Sequence, residues 1–279
     1  MSVLYYYCKM DTFKSMLRTK TLWLTDLTRS NDAEEVKRAY YNLWERIRTR
    51  LEATDLDKAL LASQFEMLDS AFEVQSSVDI PFGCCFCSEN DLVQQWREYG
   101  GGGSGVSVGF DLDAIPGLSL QHPITSADIT RAIGYEKVIY DSEQLEVDLA
   151  KICYEAMCKF GNRAWLMAIL PTFKHYAGFI KNPTFKDEKE TRIVFYPDNG
   201  FINSIDGLSE LETDVVPHYC LSWHNKGVSA LRSVTIGYEN GASEKDIAEL
   251  LIQAGLTDDI HISRSECSYR SRLHTKETN

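Results

Sequence analysis

The chain has 279 residues, 44% of them hydrophobic, which is enough for a sizeable core in one large domain or two small ones. Its 41 acidic and 29 basic residues give a formal charge of −12, which opposes general affinity for phosphate backbones. The opening stretch MSVLYYYCKMDTFKSML has no basic segment followed by an apolar one, and no run of about 18 apolar residues occurs. A cytoplasmic protein with no membrane contact is expected.

From the N-terminus, VLYYYCKM reads as a strand, TFKSMLRTK as a short helix and TLWLTDL as a second strand. Turn residues then lead into two apolar stripes at helical spacing, Val36 to Leu51 and Leu60 to Phe72. Thr54 and Asp57 form a capping-box pattern between them. A helical hairpin over about 32–73 is predicted. IPFGCCFCSE suits a central strand, NDLVQQWREYG a short helix, GVSVGFDLDAI another strand and AIGYEKVIYD a further one. A helical region follows over about 143–180, with interruptions predicted near Gly161 and at Pro171. Near the C-terminus, LRSVTIGYENG is a strand. SEKDIAELLIQAGL is a helix capped by Ser243 and Asp246 and closed by Gly255, and DDIHISRSECSYR is a last strand. With no repeat, low-complexity stretch or linker, residues 1–279 form one α+β domain with helical insertions.

The 8 cysteines are spread along the chain. The dense group GCCFC lacks the second pair of ligands that a zinc site needs, so Cys84, Cys85 and Cys87 are read as strand thiols and no metal is assigned. The run GGGGSG, residues 100–105, fails the phosphate-loop pattern because neither Gly-Lys-Ser/Thr nor a helix follows. A flexible loop is expected there.

NPTFKDEKETRIVFYPD, residues 182–198, is read as a strand. Alternation places Lys186, Glu188, Glu190, Arg192, Val194 and Tyr196 on one face, with the two carboxylates about 7 Å apart. Such charge is ordinarily a solvated face with cross-strand ion pairs. If the face lines a cleft, one carboxylate holds a sugar hydroxyl and stabilises positive charge, while the other accepts a proton. Trp96 and Tyr99, three apart, are placed on one side of a helix, either as core or as a surface on which a flat ring stacks. Ser88 sits just past a strand end, as a turn residue or a polar contact.

LWLTDLTRSNDAEE, FCSENDLVQQWREYGGGGSGVSVGFD, VIYD and NPTFKDEKETRIVFY, in that order behind a tyrosine-rich strand, resemble a large bacterial family known as domain of unknown function 2971. Its most specific matches are Asn31-Asp32 with Glu34 or Glu35, the block from Phe86 to Asp111 and Glu188-x-Glu190-x-Arg192. The four-glycine run departs from the short polar loop usual there. That family is similar to ADP-ribosyltransferases, which bind NAD in a central split β-sheet with signature positions on three strands. The resemblance implies Glu190 as the essential glutamate, Glu188 as its partner and Ser88 beside the nicotinamide ribose. Tyr5, Tyr7 and Lys9 stand where the arginine-type branch carries a basic first-strand residue. It further implies NAD as substrate, bound by Tyr7, Lys9, Ser88, Trp96, Tyr99 and Arg192, and a protein, RNA or DNA acceptor. A toxin or phage-defence context with an antitoxin or regulatory partner also follows from it. Two other readings stand beside this one. The first is a metal-dependent nuclease or nucleic-acid-directed effector using Asp32, Glu35 and Glu190, and the second is a binding module without catalysis.

Overall fold

A computed structural model describes residues 3–29, 35–78, 80–118, 133–197, 207–211, 218–225, 227–256 and 259–269. Among them, twelve strands and six α-helices follow in the order β1 (Leu4–Cys8), α1 (Met10–Thr19), β2 (Thr21–Asp26), α2 (Glu35–Glu52), α3 (Lys58–Val78), β3 (Phe82–Cys87), α4 (Val93–Glu98), β4 (Val106–Phe110), β5 (Ile133–Lys137), α5 (Glu143–Ala177), β6 (Glu190–Phe195), β7 (Leu208–Leu211), β8 (His218–Ser222), β9 (His224–Asn225), β10 (Val228–Ser229), β11 (Leu231–Ile236), α6 (Glu244–Gln253) and β12 (His261–Arg264). This is an α+β architecture. No helix among the described residues is long and apolar enough to cross a membrane.

Ten of the strands form one mixed sheet, and β3 is where it divides. Along one edge β3 pairs antiparallel with β6 over its whole length, from Phe82↔Phe195 to Cys87↔Glu190. Its other edge is shared between two strands. At its C-terminal end Tyr5 of β1 faces Cys87, and at its N-terminal end Thr25 and Asp26 of β2 face Gly83 and Phe82. β1 continues into β4, β11 and β12, while β2 continues into β8 and β7. Between these two wings the middle of β3 has no strand beside it.

Alternation explains where the cores lie. Leu22, Leu24, Cys84, Phe86, Ile193 and Phe195 point to one face of the sheet, where Phe13, Met16 and Leu17 of α1 and Ile247 and Leu251 of α6 cover them. A second core joins the hairpin to α5 through Trp44, Ile47, Phe65, Phe72 and Phe173, and meets the sheet at Val194. A small third cluster of Tyr7, Cys87 and Trp96 pins α4 against β1 and β3.

Several expectations change. Pro171 lies inside α5, which runs unbroken for 35 residues. Proline removes one backbone bond, at about 3 kcal/mol or more. Its neighbours Ile169 and Phe173 are buried in the helical core, and that packing holds the turn in place. The cap of α3 is Asp57, whose Oδ1 accepts from Leu60 N at 2.8 Å, while the Thr54 hydroxyl donates back to Leu51 O. At α6 the capping box of Ser243 and Asp246 is present. The glycine loop is fixed rather than flexible. Gly103 has φ 94° and a Cβ there would strike the Tyr238 ring, while one on Gly105 would strike the Cys8 carbonyl. Backbone bonds from Gly237 and Glu239 clasp the same loop.

Candidate active site

The opening in the sheet is a cleft of about 710 Å³, within the size range of small-molecule sites. Its floor is β3 from Gly83 to Phe86, where Cys84 to Phe86 pair with β6 on one edge and have no strand partner on the other. Glu188, Glu190, Arg192, Lys181 and Tyr99 close one end. Trp23 and Thr25 of β2, Arg29 and His218 form the other.

The acidic end is built differently from the strand expected there. Residues Pro183–Glu188 form a 3-10 turn instead of strand, with Pro183 in its first turn and the Asn182 side chain accepting from Thr184 N. Lys189 then takes a left-handed conformation, φ 49°, and only Glu190 begins β6. Proline fits the first helical positions and asparagine caps them, which is why the charged half of this segment turns. Glu188 and Glu190 therefore come from a turn and a strand rather than from two sites on one strand face. They still converge. Lys181 Nζ lies 2.5 Å from Glu188 Oε2 and 2.9 Å from Glu190 Oε2. Arg192 Nε donates to Glu190 Oε1 at 2.5 Å and its Nη1 to Gly178 O at 3.2 Å. All four side chains are buried, so this is a closed charge network on the wall of the cleft.

The two carboxyls hold different protonation tendencies. Burial raises the Glu190 pKa, but Arg192 and then Lys181 outweigh it and bring the group down to about 2. For Glu188 burial raises the pKa, Lys181 draws it down and the Glu190 charge pushes it up, leaving it above the ordinary value. One carboxylate is thus kept charged while its neighbour is poised to exchange a proton. The Tyr99 hydroxyl reaches Glu188 Oε1 at 3.4 Å, with the ring 39% exposed in the cleft. Gln95 Nε2 donates to Glu188 O, and Tyr140 OH accepts from Glu190 N at 3.1 Å. Cys85 opens onto the floor of the cleft, and its enclosure by the surrounding walls, followed by the Glu190 charge, raises its thiol pKa.

Of the residues singled out in the sequence, Glu188, Glu190, Arg192, Tyr99 and Tyr7 line the cleft. Tyr7 is already engaged, donating to Glu89 O at 2.7 Å and accepting from Leu92 N at 2.9 Å. Trp96 is fully buried edge-on against Tyr7, with Nε1 donating to Asp91 Oδ1, so it supports the wall and offers no stacking face. Tyr99 is the C-cap of α4, and the two rings differ in environment, Trp96 buried and Tyr99 open to the cleft. Ser88 is exposed past β3, its N–H donating to Lys189 O, and Lys9 is an exposed residue before α1; neither lines the cleft. Sequence reasoning missed Lys181, Trp23, Arg29 and His218. The signal for Lys181 was a lone lysine in the apolar stretch AGFIKNP.

Asp32 lies outside the described residues, as does the side chain of Glu35. No group of three potential metal ligands occurs among the described residues. Glu190 is already shared by Lys181 and Arg192, two cations that would repel a divalent ion.

No curated protein and no solved structure matches the chain. Residues 95–193, the segment that carries Tyr99, Lys181, Glu188, Glu190 and Arg192, match the family model described as protein of unknown function (DUF2971).

Proposed function

We propose that the protein transfers ADP-ribose from NAD to a macromolecular acceptor, with the cleft as its active site. The observation that carries this reading is the pair of buried carboxyls, one held charged and the other raised, on the wall of a cleft between two wings of a divided sheet. A divided sheet around the nucleotide is also what the resemblance to ADP-ribosyltransferases implies.

In this mechanism Tyr99 offers its ring to the nicotinamide, and Glu190 accepts a hydrogen bond from a hydroxyl of the adjoining ribose. The glycosidic bond breaks with its electron pair going to nicotinamide, leaving an oxocarbenium-like carbon. The fixed negative charge of Glu190 stabilises that carbon, an effect of about 3 kcal/mol where water is excluded. Arg192 and Lys181 keep Glu190 ionised and oriented. The acceptor forms the new bond to the same carbon, and its proton passes to Glu188. If water is the acceptor, free ADP-ribose results.

The test is to incubate the full chain with NAD labelled in its adenylate half, together with cell protein, RNA or DNA, and to follow nicotinamide release and the destination of the label. Release coupled to labelling of one acceptor class, or to free ADP-ribose, is expected. Failure to release nicotinamide with every acceptor and with water rejects the reading.

A further inference from the structure

The far end of the cleft has its own chemistry. Trp23 is 43% exposed, although its neighbours Leu22 and Leu24 are buried in the sheet core. Thr21, Trp23 and Thr25 share one face of β2, and β2 pairs with β8 through Trp23↔Cys220, so His218, two residues from Cys220, lies on the same face. The indole and the imidazole stack, with ring centroids 5.1 Å apart and planes at 23°. One flat side chain supports the other. Arg29 lines the same cleft, three residues past the end of β2. It pairs with Asp26 at 3.4 Å, and its side chain is 62% exposed. It is the most exposed cation of the cleft, since Lys181 and Arg192 are committed to buried carboxylates.

Register sets the reach. Thr25 faces Gly83 on β3, and Cys85 faces Arg192 on β6. Trp23 lies on the part of β2 that has separated from β3, so the ledge and the charge network are at least two strand spacings apart, about 10 Å or more. An indole face matches a bicyclic heteroaromatic ring in size, and stacking on it is worth about tenfold or more in affinity. A guanidinium alongside suits a phosphate.

We propose that Trp23, supported by His218, is the subsite for a purine base, with the attached phosphate directed to Arg29. This rests on the NAD reading only for its assignment of the base to the adenine of that dinucleotide. The threonine hydroxyls at positions 21 and 25 border the ring on either side along the strand and meet its polar edges or the ribose.

The experiment is isothermal titration of the full chain with AMP and with adenosine, alongside NAD turnover. Trp23→Ala is expected to weaken AMP binding about tenfold or more, with Trp23→Phe retaining most of it. Arg29→Gln should weaken AMP but leave adenosine unchanged. AMP that fails to bind the native chain, or that binds Trp23→Ala equally well, overturns the subsite even if NAD is consumed. AMP binding that depends on Trp23 in a protein that never releases nicotinamide supports the subsite and rejects the NAD reading.

Discussion

The two ends of the cleft face each other across β3 and are held in opposite ways. At one end Lys181, Glu188, Glu190 and Arg192 are buried and satisfy one another, so each charge depends on the rest. At the other, Trp23 and Arg29 project from a strand and a short turn, exposed and lightly tied. Ion pairs taken out of water add little net stability, because desolvation offsets attraction, yet removing one partner strands the other. The buried end therefore couples chemistry to folding. Substitution at the exposed end is expected to leave the fold undisturbed.

Breaking the buried end at its centre gives the largest effect. Glu190→Gln should cut nicotinamide release by about 10²–10³-fold, the scale of a lost preorganised charge contact. The same change leaves Arg192 and Lys181 without their shared anion, and should cost about 3–5 kcal/mol of stability, read by denaturant unfolding. An unchanged rate in the folded variant would remove Glu190 from the mechanism.

pH separates the two carboxyls. The Glu190 value, about 2 in the fold, lies below its ordinary 4.5. Its contribution to stability is thus complete above about 4.5 and disappears as pH falls toward 2. Glu188 has the opposite sign. Its raised value means the fold retains a proton that the unfolded chain releases, so stability declines as pH rises from 4.5 through the folded value. As the proton acceptor, Glu188 should also set the acid limb of the pH–rate profile above the usual carboxylate range. Lys181→Met removes the cation that draws Glu188 down, so the limb should move to higher pH, with roughly a tenfold or greater loss of rate at neutral pH. A limb that stays in place argues that another group accepts the proton.

How much of this was legible depended on whether the signal was local. β1, α1, β2 and α6 followed from alternation, helical spacing and the Ser243 cap, each contained within a dozen residues. The two glutamates were expected side by side and they do converge, but Glu188 comes from a turn and only Glu190 from the strand. Asn182 and Pro183 carried the turn signal, but the regular alternation of charges behind them reads equally well as strand. Lys181 stood out only as a lone lysine in an apolar stretch, and its role was not legible because it arises when the end of α5 returns beside β6. A divided sheet was expected only through the family resemblance and not from local pattern, since β8 lies almost two hundred residues from β2 in sequence.

Tyr99 belongs to the acidic end, and its two proposed roles can be tested together. Tyr99→Ala removes both the ring proposed to meet nicotinamide and the hydroxyl near Glu188, and should lower kcat/KM about tenfold or more. Tyr99→Phe keeps the ring and should lose only a few-fold, about what one weak hydrogen bond is worth. Equal losses in the two variants would assign the effect to the hydroxyl and leave the nicotinamide without its stacking partner.

The smallest effect is also the sharpest contrast. Trp23→Ala exposes no core, since the ring is already open to the cleft and only His218 lies stacked on it. Stability should change by no more than about 0.5 kcal/mol, the range of an ordinary surface substitution, while Glu190→Gln loses several times that. Unfolding midpoints measured side by side decide the matter. A Trp23 variant as destabilised as the Glu190 variant would mean that the ledge is a structural clasp between β2 and β8. In that case its exposure would no longer argue for a ligand, and the asymmetry between the two ends would belong to sequence position alone.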